Sequence, residues 1–239
     1  IGGANSSNIS PVSAVPSVVQ VQDNKTFNYQ LVATDADGDS LNYRWGTRAE
    51  FFAKTPYGIK SFSDVSYLKP TGMTLSSSGL VTWNVLDSGG QATNVNDMWC
   101  AFIIAEDNDS SSGDNKSYIP LDFFFKIASA SNDPPVITGI DNTTQTVSIG
   151  TTNTFTFTST DDSGAAPTFS VLNPPSDISS IWSTSSSTSV VNGDNTTTFT
   201  ISFTPVSSMD NATYAINIRS TDGDGMTKDQ SLGIKVTSV

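Results

Sequence analysis

One short pattern occurs twice in this chain. An alternating strand runs into an Asp-rich loop, and a second Asp-rich loop follows later in the same unit. The first copy places Phe27, Tyr29, Leu31 and Ala33 ahead of T-D-A-D-G-D at 34–39. The second places Phe155, Phe157 and Ser159 ahead of T-D-D-S-G at 160–164. The partner loops are E-D-N-D at 106–109 and T-D-G-D-G at 221–225. A chain built this way is two copies of one β unit.

The rest of the sequence keeps the same period. Apolar residues alternate through Leu41, Tyr43, Trp45; Val81, Trp83, Val85; Trp99, Ala101, Ile103; and Phe123, Phe125, Ile127. At S-N-D-P-P-V-I (131–137) the pattern restarts, and paired prolines stiffen the join. It continues through Val147, Ile149; Phe169, Val171; Phe199, Ile201, Phe203; Tyr214, Ile216, Ile218; and Leu232, Ile234, Val236. Period-two runs bounded by Gly, Asn, Asp and Pro predict antiparallel strands, and no stretch carries a helical period. The expected fold is all-β: two tandem antiparallel β-sandwiches, which the resemblance described below makes immunoglobulin-like (cadherin-like). The expected division is a polar lead-in at 1–17, a first sandwich at 18–131 with an insertion at 46–71, and a second at 132–239. Residues 99–109 align with 214–224 without gaps, so Asp107 and Asp109 fall on Asp222 and Asp224. D-N-A-T-Y (210–214) looks like a tyrosine corner, and Trp99 takes the tyrosine's place in the first unit.

Composition narrows the function. Only 14% of the 239 residues are charged, yet the net charge is −12. Phosphate binding needs a basic stripe, so nucleic acid is excluded as a partner, and an anionic membrane surface is disfavoured. There is no run long and apolar enough for direct membrane insertion. The chain has no His and one Cys, so the His-based triads and an internal disulfide are both excluded. Cys100, in W-C-A-F-I-I, is expected to be a buried, inert thiol. An enzyme acting through paired carboxylates stays open in principle, but no nucleophile motif, phosphate loop or His base supports it. Opening at Ile1, the chain reads as a segment of something longer.

Three segments together resemble the cadherin-like and dystroglycan-type immunoglobulin-fold repeats of large surface proteins. They are the strand leading into T-D-A-D-G-D-S-L-N-Y, then T-G-M-T-L-S-S-S-G-L-V-T-W (71–83), and the linker N-D-P-P-V (132–136). The resemblance implies an extracellular structural or adhesive module whose acidic loops bind calcium at the end where the chain enters each domain. Calcium takes six to eight oxygen ligands from carboxylates, amides and carbonyls. Around the linker the implied ligands are Asn132, Asp133, Asp161, Asp162, Asp222 and Asp224. At the first tip they are Asp35, Asp37, Asp39, Glu106, Asp107 and Asp109. A rod stiffened by calcium at the join follows from the same resemblance. The cadherin glutamates have no clear counterpart. Nor is 35–46 an EF-hand loop: Gly38 comes two positions early and Gly46 stands where the bidentate Glu belongs. The competing account is turn chemistry, because Asp and Asn cap turns through their own backbone.

The insertion carries a different signal. Arg48, Lys54, Lys60 and Lys69 interleave there with Phe51, Phe52, Tyr57, Phe62 and Tyr67. Arg48, Phe51, Phe52, Tyr57, Phe62 and Tyr67 are the candidates for a surface that stacks on a sugar or grips an acidic protein. Alternatively the aromatics simply cover one sheet. Eight N-x-S/T sites, at Asn5, Asn8, Asn24, Asn108, Asn115, Asn142, Asn195 and Asn211, fit an extracellular or secreted setting. The expected partners are neighbouring repeats, another surface protein or glycans.

Overall fold

Alternating apolar residues with Thr, Ser and Asn gives each strand one face to bury, and two such sheets must close on each other. The computed structural model describes residues 8–51, 72–85, 94–108, 117–129, 131–139, 144–162, 164–172, 174 and 181–238. The first sandwich runs β1 (Val12–Ser13), β2 (Val18–Gln22), β3 (Thr26–Gln30), β4 (Ala33–Thr34), β5 (Ser40–Trp45), a short helix α1 (Arg48–Phe51), β6 (Met73–Leu75), β7 (Leu80–Asn84), β8 (Met98–Asn108) and β9 (Tyr118–Ala128). One sheet has the order β2-β9-β8-β5 and the other β3-β7-β6, while β1 pairs with β4. Tyr29, Trp83, Ile103, Phe123 and Phe125 lie between the sheets with almost no exposure.

The second sandwich repeats the plan with β10 (Val136–Thr138), β11 (Thr144–Ser148), β12 (Asn153–Asp161), β13 (Thr168–Leu172), β14 (Trp182–Val191), β15 (Asp194–Phe203), β16 (Thr213–Thr221) and β17 (Thr227–Thr237). Its sheets are β10-β12-β15-β14 and β11-β17-β16-β13. In both units the first edge strand runs parallel to the last strand, β2 on β9 and β11 on β17, as in an immunoglobulin-type sandwich. Phe157, Phe199, Ile201, Phe203, Ile216 and Ile234 fill the second core.

Three details depart from expectation. Val12 and Ser13, placed in the polar lead-in, pair with Thr34 and Ala33 as β1. Cys100 is not in the core. Trp99 and Ala101 face inward, so alternation turns Cys100 outward, where its half-buried thiol donates to Asp122 Oδ1 at 3.3 Å. Burial, with Asp122 beside it, pushes that thiol up to about 11.

The largest departure concerns the join. The sandwiches lie side by side rather than end to end. Along β16 and β17, Ile216, Ile218, Leu232 and Ile234 fill the domain's own core. The alternate residues Asn217, Arg219, Asp229, Ser231 and Gly233 meet the first sandwich along β1, β2, β3 and β4. Contacts run in order. Thr227 N–H donates to Gln20 Oε1 at 3.0 Å, and Lys228 Nζ donates to the Asn28 carbonyl at 3.1 Å. Arg219 donates to the Val18 carbonyl at 2.8 Å, and Asn217 and Ser231 both donate to the Ala14 carbonyl at 3.3 Å. A Cβ on Gly233 would stand 2.5 Å from Thr34 Cγ2, so glycine there permits the close approach of β4. Beyond it, Lys235 reaches Gly38, at the far end of the first sandwich.

Candidate functional site

The acidic loop after β4 is organised by its first carboxylate. Asp35 Oδ1 accepts the backbone N–H groups of Asp37 at 2.8 Å, Gly38 at 3.0 Å and Asp39 at 3.3 Å. That is turn chemistry, and Gly38 supplies the positive φ of 86° the turn requires. The other oxygen, Asp35 Oδ2, is buried without a hydrogen-bond partner, on a residue only 6% exposed. Asp37 Oδ2 accepts Ile9 N–H at 2.5 Å. Ligand oxygens of Asp35, Asp37 and Asp39 all lie within 4.8 Å of one another, the one such group among the described residues. A buried orphan oxygen flanked by two carboxylates fits a hard cation.

The rest of the tip does not join this group. Glu106 lies on the outer face of β8, where Arg44 Nε donates to it at 3.0 Å. Arg44 also forks onto Glu50 at 2.8 and 3.1 Å. Glu50 and Thr47 form a capping box that starts α1: Glu50 Oε2 accepts Thr47 N–H at 2.7 Å and Thr47 Oγ1 accepts Glu50 N–H at 3.3 Å. The Arg44 guanidinium holds the Glu50 carboxyl down at about 2. Asp107, on the inward face, is fully buried and is occupied by Ser117, whose N–H and hydroxyl both donate to it. Asp109 lies outside the described residues.

At the linker the predicted ligands meet, but they meet protein donors. Asn132 Nδ2 donates to Asp222 Oδ2 at 2.6 Å. Asp222 Oδ1 also accepts the N–H groups of Asp224 at 2.9 Å and Met226 at 2.8 Å. Asp133 is paired with Lys25 and accepts Gln22 Nε2 at 2.7 Å. The Lys25 ammonium first, and the Gln22 amide second, hold the Asp133 carboxyl below its usual range. Asp161 and Asp162 line a neighbouring cleft of about 190 Å³ with Asp133 and Asp194. Asp133 and Asp222 are thus engaged by protein donors, and among the described residues the linker carboxylates offer no buried, unpartnered oxygen like Asp35 Oδ2.

Sequence reasoning passed over Gln22, Lys25, Arg219 and Asp229, which carry the contact between the sandwiches. Arg219 grips Asp229 with two bonds, at 2.7 and 2.8 Å, and the Asp229 side chain is 1% exposed. Burial pushes the Asp229 carboxyl up, opposed by Arg219. Tyr29 packs alongside in the first core, and burial pushes its phenol up. Lys228 stands over the Phe27 ring, 5.4 Å from its centroid. The one signal for this face was Gly233 inside a strand pattern.

Of the insertion, Phe51 packs edge-on against Phe102 at 5.1 Å, covering the outer face of β8. Arg48 lies on α1. Phe52, Tyr57, Phe62 and Tyr67 lie outside the described residues.

No protein-family model matches the sequence, and no curated protein matches it. Solved structures similar to the chain include Rst D1-D2, 13% identical with a TM-score of 0.32 over 96% of this chain and 99% of that one. Mouse Cadherin-23 EC22-24 is 15% identical with a TM-score of 0.31, over 98% and 66%. A chain of the complex of Dpr2 Ig1-Ig2 with DIP-Theta Ig1-Ig3 is 8% identical with a TM-score of 0.30 over 96% of this chain; this chain spans 65% of its length. At such scores the likeness says nothing of what this chain does.

Proposed function

We propose that the chain is a non-enzymatic structural or adhesive module of an extracellular surface protein, with calcium bound by the loop after β4. The observation that carries the calcium assignment is the buried, unpartnered Asp35 Oδ2 beside Asp37 and Asp39. Those three residues would hold the ion, which would neutralise the cluster and rigidify the loop. The second sandwich is held by protein contacts, so the angle between the two does not depend on an ion at the linker.

Thermal unfolding in EDTA, in about 2 mM calcium and in magnesium tests the assignment. A site with a Kd of about 20 µM adds about 2.7 kcal/mol at that concentration. The expected result is a calcium-selective rise in melting temperature that Asp35→Asn removes and Asp133→Ala leaves in place. No rise, or a rise lost on Asp133→Ala alone, would sink it.

A further inference from the structure

We propose that the free edge of β14 is a self-association surface, pairing antiparallel with β14 of a second copy of this chain. Among the described residues β14 ends its sheet, bonded on one side to β15 alone. Nine of its ten residues are exposed, and its pairing with β15 is unbroken from Trp182 to Val191. The devices that normally blunt such an edge are charge, proline and bulges, and none occurs here.

Three observations name the occupant. The first is hydrogen-bond parity. Asn192 and Gly193, with φ of 56° and 99°, make a two-residue type I′ turn, so Val191 and Asp194 form a hydrogen-bonded pair. Odd-numbered residues of β14 therefore bond to β15. The N–H and C=O groups of Trp182, Thr184, Ser186, Thr188 and Val190 point out of the sheet. The second is sequence symmetry. Residues 183–189 read S-T-S-S-S-T-S, the same in both directions about Ser186. Two-fold pairing about Ser186 sets Ser186 against its own copy and Thr184 against Thr188 of the second copy. All these residues have outward-pointing groups, so sequence symmetry and hydrogen-bond parity select one register, with about ten new backbone bonds. The same register covers two exposed apolar residues. Val190, 67% exposed, meets Trp182 of the second copy, and Val191, 47% exposed, meets its Ile181. The third is charge. The chain carries −12, and residues 181–193 carry no ionisable side chain. Two copies can meet here without setting carboxylate against carboxylate.

Sedimentation of the intact protein from about 5 µM to about 1 mM tests the pairing. The contact is small, so a weak, concentration-dependent dimer is expected. Ser186→Pro removes an outward N–H that β15 does not use. It should weaken association at least tenfold while leaving the melting temperature near that of the unmodified chain. The exposed pair T184K/T188K sets Lys against Lys and should abolish the dimer; T184K/T188D sets Lys against Asp in this register and should restore it. Should Ser186→Pro fail to fold, the two double variants decide. A monomer up to about 1 mM overturns the proposal. So does a dimer indifferent to Ser186→Pro, or one no better restored by T184K/T188D than by T184K/T188K.

Discussion

Replacing Arg219 by Ala should open the molecule. Arg219 and Asp229 sit on neighbouring strands of the second sandwich, and the Asp229 side chain, on the face that meets the first sandwich, is 1% exposed. Losing the guanidinium leaves a buried carboxylate without its bidentate partner, which costs about 3–5 kcal/mol. The cheapest relief is to hydrate Asp229 by separating the sandwiches. Asp229→Ala should cost less, about 1–3 kcal/mol, because Arg219 is 25% exposed and keeps the Val18 carbonyl. Replacing both, as R219M/D229M, should cost less than Arg219→Ala alone, since apolar groups leave no buried charge. Small-angle scattering reads the opening. Two sandwiches side by side give a radius of gyration of about 18 Å, and the same pair end to end about 24 Å. The intact chain should lie near the first value, Arg219→Ala should move toward the second, and R219M/D229M should stay closed. An intact chain already near 24 Å refutes the reasoning. So does an Arg219→Ala curve that superimposes on it, or a double variant more open than Arg219→Ala.

Two further outcomes follow from the same packing. Gly233→Val places a Cβ 2.5 Å from Thr34 Cγ2 and should destabilise the closed pair by about 1–3 kcal/mol, read as a lower urea midpoint; an unchanged midpoint would show that β4 does not approach there. The Glu50 carboxyl lies at about 2 in the fold against an ordinary 4.5. Its folded value is the lower, so its contribution is complete above about pH 4.5 and is lost as pH falls toward 2. Glu50→Gln should flatten the melting temperature across that window, and an identical acid profile in the variant would remove Arg44 as the cause.

The sandwiches were legible because burial writes itself into alternation. Trp83, Ile103 and Phe125 each sit on a period-two run, and each is fully buried. The same alternation shows Cys100 turned outward, although an apolar neighbourhood suggested otherwise. The face between the sandwiches was not legible for the converse reason. Asn217, Arg219, Asp229 and Ser231 occupy the solvent-facing phase of β16 and β17, where polar residues are the rule whether or not something covers them. Their burial follows from a partner 200 residues away in sequence, and local pattern carries no trace of it beyond Gly233. Of the acidic residues read as one ligand set at the first tip, Asp35, Asp37 and Asp39 do come together, and Glu106 and Asp107 do not join them. Glu106 and Asp107 are adjacent in sequence and therefore on opposite faces of β8, which prevents them from converging on one ion.

The polarity of the contact between the sandwiches has a physical reason. Each hydrogen bond across it is worth about 0.5–1.5 kcal/mol net, so the few at Ala14, Val18, Gln20 and Asn28 amount to a few kcal/mol. Two separate molecules lose about 4–15 kcal/mol of translational and rotational freedom on association, and such a face would not hold them. Here a short join raises the effective concentration into the millimolar range, so a modest face suffices. An apolar face would close more tightly, but in any opened molecule it would be a sticky patch. The closed arrangement uses the sheet of β11, β17, β16 and β13. The opposite sheet, ending in β14, makes none of these bonds, and among the described residues its edge is left for a second copy. Closure and self-pairing therefore draw on different sheets of the same sandwich, and neither blocks the other.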